Sequence, residues 1–179
     1  EVLDIAKSYN IWIFSDECYE QLTYDREYMS IAKLAKNYDK VLTFQSCSKT
    51  YAMTGWRIGY TAGDRDVIKA MGKLQGQSTS CPNAIAQVAA IEALTGDQSE
   101  VKNMRVEFKK RRDYIVDRLN RMDGVTCSTP GGAFYVFPDF STHMRKDTKI
   151  KCSDDLSMYF LKEKSVVTVS GDAFGGQGH

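Results

Sequence analysis

Lys49 stands in the stretch SCSKTYAMTGWRIGY, residues 46–60, directly after an apolar, β-rich run. Ser46 and Ser48 flank it, and Arg57 follows eight positions on, between Gly55 and Gly59. A lysine at a strand end can offer an amine for attack on a carbonyl. Two hydroxyls and a guanidinium suit a phosphate, because arginine presents a planar fork of donors and serine a short rotatable one. An amine beside an anion cradle is what an aldehyde bearing a phosphate requires. The stretch is not a nucleotide P-loop, since the glycines of G-x-x-x-x-G-K-[ST] are missing before Lys49.

A second cluster of reactive types, SDECYEQLTYD, occupies residues 15–25. Here the apolar run IWIFSDE ends abruptly in Asp16 and Glu17, with Tyr19 close behind. A carboxylate at the end of a buried strand can hold a partner in its protonated form, and a phenol nearby can donate a hydrogen bond.

Composition narrows the alternatives. The 179 residues suffice for one core and the start of a second. Net charge is +1, from 24 basic and 23 acidic side chains, so bulk electrostatics imply no nucleic-acid or anionic-membrane partner. No apolar run is long enough to span a bilayer. The five cysteines are scattered and odd in number, which favours reduced thiols in the cytosol over a disulfide framework or a zinc site. With His143 and His179 alone, a histidine metal site or Ser/His triad is disfavoured, leaving Lys, Asp, Tyr, Arg or a cofactor.

The elements that must position these residues follow from periodicity. Residues 1–9 place Val2, Ile5, Ala6 and Tyr9 on one helical face. Buried strands are predicted at IWIFSDE and at VLTFQSC (41–47), a short helix at IAKLAKNY between them, and a third strand at RIGYTAG. Asp64 is expected to cap a helix with Val67, Ile68, Met71 and Leu74 inward. Pro82 and Gly96 bracket the next helix, and Asp97 with Glu100 reads as a capping box for a long one ending at Gly124. A strand at AFYVF, a helix over about 153–163 and a strand at VVTVS complete the pattern. Strands alternating with helices predict an α/β protein with a mostly parallel sheet. With no initiator Met and a glycine-rich finish, AFGGQGH, the sequence reads as a fragment.

The stretch from Ser46 to Gly59 resembles the pyridoxal 5′-phosphate (PLP) attachment signature of class I/II aminotransferases: small–x–Ser–Lys, then Arg eight residues later, an apolar residue and Gly. The resemblance implies that Lys49 is the Schiff-base lysine and that Ser46, Ser48 and Arg57 hold the cofactor phosphate. Residues 15–25 are similar to the family's D-E-x-Y segment, which makes Asp16 the partner of the pyridine nitrogen and Tyr19 that of the ring hydroxyl. QGQSTSCPNAIAQ (75–87), PGGAFYVFPDF (130–140) and VSGDAFGGQGH (169–179) resemble the bacterial aspartate aminotransferase branch, so the likeness covers essentially the whole chain.

What the resemblance implies is a fold type I transferase. Residues 1–105 would form the C-terminal part of a large PLP-binding domain, and 106–179 a linking helix with a partial small α/β domain. It implies transfer of an amino group between aspartate and 2-oxoglutarate, and a cytoplasmic homodimer. Ser170 departs from the family's proline, and the arginine that clamps a substrate carboxylate is expected just beyond His179, so this chain alone is expected to be inactive. Two alternatives stay open on the same motifs. One is another fold type I PLP enzyme, such as an aromatic aminotransferase or a lyase. The other is the aminotransferase-like sensing domain of a transcription regulator.

Overall fold

The structure, a computed structural model, describes residues 1–144 and 149–175. The chain divides into two compact units, Glu1–Glu107 with Gly131–Ala133, and Phe108–Pro130 with Phe134–His179. The first contains α1 (Val2–Tyr9), β1 (Ile13–Asp16), α2 (Ile31–Leu34), β2 (Val41–Ser46), the single turn α3 (Cys47–Thr50), β3 (Gly59–Ala62), α4 (Arg65–Ser78) and α5 (Ala84–Thr95). The long helix α6 (Ser99–Asn120) begins in this unit and ends in the second. The second also holds a two-residue ladder, β4 (Thr126–Cys127) with β5 (Pro138–Asp139), and α7 (Ser153–Lys164). Among the described residues no helix is long and apolar enough to cross a membrane.

The sheet of the first unit has the order β1-β2-β3. β1 runs parallel to β2, with Ile13 opposite Val41 and Asp16 opposite Phe44. β3 returns antiparallel, with Ser46 opposite Gly59 and Thr43 opposite Ala62. The α/β expectation therefore holds, but the sheet within this chain is mixed rather than mostly parallel. A parallel crossover needs a dozen or more residues, usually including a full helix. The β2–β3 connection carries only α3 and a 3₁₀ turn, Thr54–Trp56.

Local chemistry accounts for most element boundaries. Asn10 ends α1 in the left-handed region (φ 54°), its N–H donating to Ala6 and Lys7 carbonyls. The Asp64 carboxylate caps α4 by accepting from the N–H groups of Asp66 and Val67. Asn83 does the same for α5 through Ile85 and Ala86. The capping box predicted for α6 does not form. Asp97 accepts from Ser99, and Glu100 accepts from the Asn103 amide instead of reaching backwards. In the second unit Asn120 closes α6 onto β4, donating to the Cys127 carbonyl and accepting its N–H.

Two predicted strands are absent. AFYVF forms no ladder: Ala133 takes a left-handed φ of 58°, and pairing starts only at Pro138. Its rings pack on one another instead, Phe134 against Tyr135 at 4.9 Å and against Phe108 at 5.5 Å. VVTVS forms no ladder with any strand among the described residues, and Val167 is 80% exposed. Branched residues favour a pleated surface only where another strand supplies one. The inward faces predicted for α1 and α4 are also largely bare: Ala6 alone is buried in α1, and Leu74 is 72% exposed. β1 is half-covered, with Phe14 69% exposed.

The core lies behind the β2–β3 connection. Cys47 (fully buried), Met53 and Ala90 form a cluster, with Tyr51, Ile58, Ala89 and Ala93 packed around it. Close packing also sets Gly63 just after β3, where a Cβ would lie 2.2 Å from Leu42 Cδ2 and 2.7 Å from the Val41 carbonyl oxygen. Gly63→Ala is expected to destabilise by about 1–3 kcal/mol, the usual range for overpacking. Urea denaturation of the full-length protein checks this, and an unchanged midpoint would refute the close approach.

Candidate active site

Topology brings three separated segments to one edge. Because β1 and β2 are parallel, Asp16 and the Ser46–Lys49 segment share their carboxyl ends. Because β3 is antiparallel, its amino end, preceded by Arg57, lies at that same edge. The carboxyl edge of an α/β sheet is where ligands commonly bind.

A cavity of about 380 Å³ opens there, and Asp16, Ser46, Ser48, Lys49 and Arg57 all line it. Five of the six residues predicted from sequence therefore converge. Tyr19 does not line the cavity, but the Lys49 ammonium lies 6.0 Å from its ring centroid, at the margin of a cation–π contact. Cys18, Phe44, Gln45 and Thr54 complete the lining. Cys18 and Gln45 could have been suspected, being next to predicted residues; nothing in the sequence singles out Thr54. Among the described residues no group of three or more His, Cys, Asp or Glu could hold a metal ion.

Lys49 is half-buried on α3, a turn that begins where β2 stops. Ser46 makes that change of direction: its backbone is extended (φ −138°), and its Oγ accepts from the Ser48 N–H at 3.1 Å. Cys47, fully buried in the core cluster, anchors the turn. The following loop holds two non-glycine residues in the left-handed region, Ala52 (φ 53°) and Arg57 (φ 52°). Such conformations are costly and persist where surrounding packing imposes them. Here Met53 and Ile58 in the core supply that packing. The Arg57 Nη1 donates to the Thr54 carbonyl at 2.8 Å, one use of a group with five N–H donors.

The carboxylates differ from expectation. Asp16 is exposed rather than buried, and its Oδ1 accepts from the Cys18 N–H at 3.1 Å. Glu17 is the buried one, 2% exposed. Successive strand residues face opposite sides, so Asp16 looks onto the cavity while Glu17 turns to the packed side. There it accepts from Ser30 Oγ at 2.8 Å and Gln45 Nε2 at 3.0 Å. Burial, then the charge of Glu17 and a hydrogen bond to it, push the Tyr28 phenol up to about 12. Burial, reinforced by a hydrogen bond to Asp16 and its charge, raises the Cys18 thiol and keeps it protonated near neutrality.

A lysine, a carboxylate, two hydroxyls and a guanidinium thus share one cavity at the carboxyl edge of an α/β sheet, a donor set with the chemistry to hold a phosphorylated carbonyl compound. The chain belongs to the class I and II aminotransferases, whose family model matches residues 1–179, and that family is pyridoxal phosphate dependent. An aspartate/prephenate aminotransferase of Cereibacter sphaeroides is 46% identical over 92% of this chain and 43% of its own length. The crystal structure of the aspartate aminotransferase from Rhizobium meliloti matches with a TM-score of 0.87 and 39% identity, over 96% of this chain and 44% of that one. An aromatic aminotransferase from Pyrococcus horikoshii matches with a TM-score of 0.87 and 37% identity, over 99% and 46%. The chain thus spans under half the length of these relatives.

The partial burial of Tyr28, with the charge of Glu17 added to it, has a consequence at high pH. The folded phenol holds its proton to about 12, against 10.0 for the free group, so the folded state binds the extra proton between those values. That contribution to stability is complete below pH 10.0 and is lost as pH rises towards about 12. An ultraviolet titration of wild type minus Tyr28→Phe should show this phenolate appearing only near the upper value. Ionisation at the ordinary value would show that the folded protein does not shield the Tyr28 phenol from water.

Proposed function

We propose that Lys49 carries pyridoxal 5′-phosphate and that the full-length protein is an aminotransferase, moving an amino group between aspartate and a 2-oxo acid, 2-oxoglutarate. The observation that carries this reading is the convergence of Asp16, Lys49 and Arg57, from three strand ends, on one cavity. The donor set fits the cofactor: an amine for its aldehyde, a carboxylate for its ring nitrogen, and two hydroxyls with a guanidinium for its phosphate.

When bound, the cofactor supplies a carbonyl that captures amines and a protonated ring that accepts electrons. The Lys49 amine would hold the cofactor through its aldehyde group, and the same amine would be the group that takes up and gives back a proton, as base and then acid. Asp16 keeps the ring nitrogen protonated, since a carboxylate beside it favours the cationic form. Tyr19 donates to the ring oxygen. Ser46, Ser48 and Arg57 hold the phosphate.

Aspartate as donor is supported by the names of relatives such as those of C. sphaeroides and R. meliloti. Residues 1–105 are proposed to belong to a large cofactor-binding domain and 106–179 to a linking helix and part of a small one, and the unit boundary at Glu107 and Phe108 supports that division. Five free cysteines suit a reducing cytoplasm. A homodimer is proposed from family likeness.

In the full-length protein, Lys49→Ala should abolish the visible absorbance of lysine-bound cofactor; an unchanged spectrum would remove Lys49 from the role. Asp16→Asn should lower kcat by about a hundredfold, the scale of losing one preorganised electrostatic group. A rate within a few fold of wild type would exclude Asp16. Product analysis with aspartate and 2-oxoglutarate tests the substrates: glutamate and oxaloacetate support them, and turnover of aromatic donors alone refutes them.

A further inference from the structure

Glu17 is the most deeply buried charged side chain near the site, yet it does not line the cavity. It joins three pieces of chain. Its backbone N–H donates to the Phe44 carbonyl at 2.8 Å, continuing the β1–β2 ladder one step past Asp16. Its Oε2 accepts from Gln45 Nε2 at 3.0 Å, on the residue immediately before Ser46. Its Oε1 accepts from Ser30 Oγ at 2.8 Å, which ties the residue that caps α2 to the end of β1.

The pleat makes the consequence specific. In the β1–β2 register Asp16, Phe44 and Ser46 share one face of the strands and Glu17 and Gln45 the other, with Gln45 also contributing to the cavity wall. The Glu17–Gln45 contact therefore ties together the backs of the two residues, Asp16 and Ser46, from which the two halves of the site project. Gln45 bears a cost for this. Its Oε1 is buried and has no hydrogen-bond partner among the described residues. Turning the amide over would set that oxygen against the Glu17 carboxylate, so the charge on Glu17 dictates which way Gln45 points.

We propose that Glu17 is a positioning residue for the cofactor site: through Gln45 and Ser30 it fixes the spacing between Asp16 at the end of β1 and the Ser46–Lys49 turn at the end of β2. This rests on the reading that Asp16 and Lys49 hold pyridoxal phosphate. Displacements of an ångström in a supporting shell loosen a preorganised site without unfolding the protein around it.

The test uses full-length apoprotein and pyridoxal phosphate itself, with equilibrium dialysis for Kd and borohydride trapping, followed by peptide mass analysis, to locate the cofactor. Glu17→Ala should still trap cofactor on Lys49 but raise Kd about tenfold or more, by analogy with residues supporting metal ligands. Glu17→Gln, whose carbonyl can accept from Ser30 while its amide donates to a turned-over Gln45 Oε1, should stay within about threefold of wild type. A purely structural role would lower the melting temperature of Glu17→Ala and leave Kd unmoved well below it; that result overturns the proposal. Should Glu17→Ala fail to fold, Ser30→Ala and Gln45→Ala decide: a raised Kd in both supports the clamp, and wild-type Kd in either overturns it. Failure of wild type to trap cofactor on Lys49 would instead sink the underlying reading.

Discussion

The parallel pairing of β1 with β2, in the register that sets Asp16 opposite Phe44, is the constraint on which the site depends. It places a carboxylate and an amine, 33 positions apart in sequence, at neighbouring strand ends. Shifting that register by one residue would turn Asp16 to the packed side and bring Glu17 to the cavity, because side-chain direction has a period of two. Glu17 resists such a slip. Its carboxylate is buried with hydrogen bonds to Ser30 and Gln45, and moving it would leave a buried charge without those partners.

The second requirement is an abrupt end to β2. A strand that continued would carry Lys49 away from Asp16 along the sheet. Ser46 stops it by capping the turn that follows, and the buried Cys47 holds that turn against Met53 and Ala90. The unfavourable backbone of Ala52 and Arg57 then folds the chain back within a short connection, so that β3 starts beside Ser46. Core packing and site geometry are thus one structure here. The same short segment supplies the fully buried Cys47 and the cavity-lining Ser46, Ser48 and Lys49.

Exposed apolar surface on β1, α4 and α5 belongs with the chain's length relative to its kin. Ile85, Val88 and Ile91 of α5 are all well exposed, although the helix is apolar nearly all round. A helix of that composition is ordinarily covered. The chain spans 43–44% of the C. sphaeroides and R. meliloti aminotransferases, so much of the sequence that accompanies these elements in relatives lies outside it.

By itself the sequence determined the reactive types and their local frames. The spacing from Ser46 to Gly59, the acidic end of IWIFSDE, the cap at Asp64 and the breaks at Pro82 and Gly96 are short-range features, written in adjacent residues and set by local sterics and hydrogen bonding. Tertiary structure alone decided matters that depend on distant partners. AFYVF and VVTVS have strand composition but no strand beside them, and Asp97 and Glu100 found other partners than each other. Which of two adjacent carboxylates is buried was likewise beyond local reading. Asp16 and Glu17 differ only in the side of the sheet they face, and the packed side is the one where Ser30 and Gln45 come together from two places in the chain.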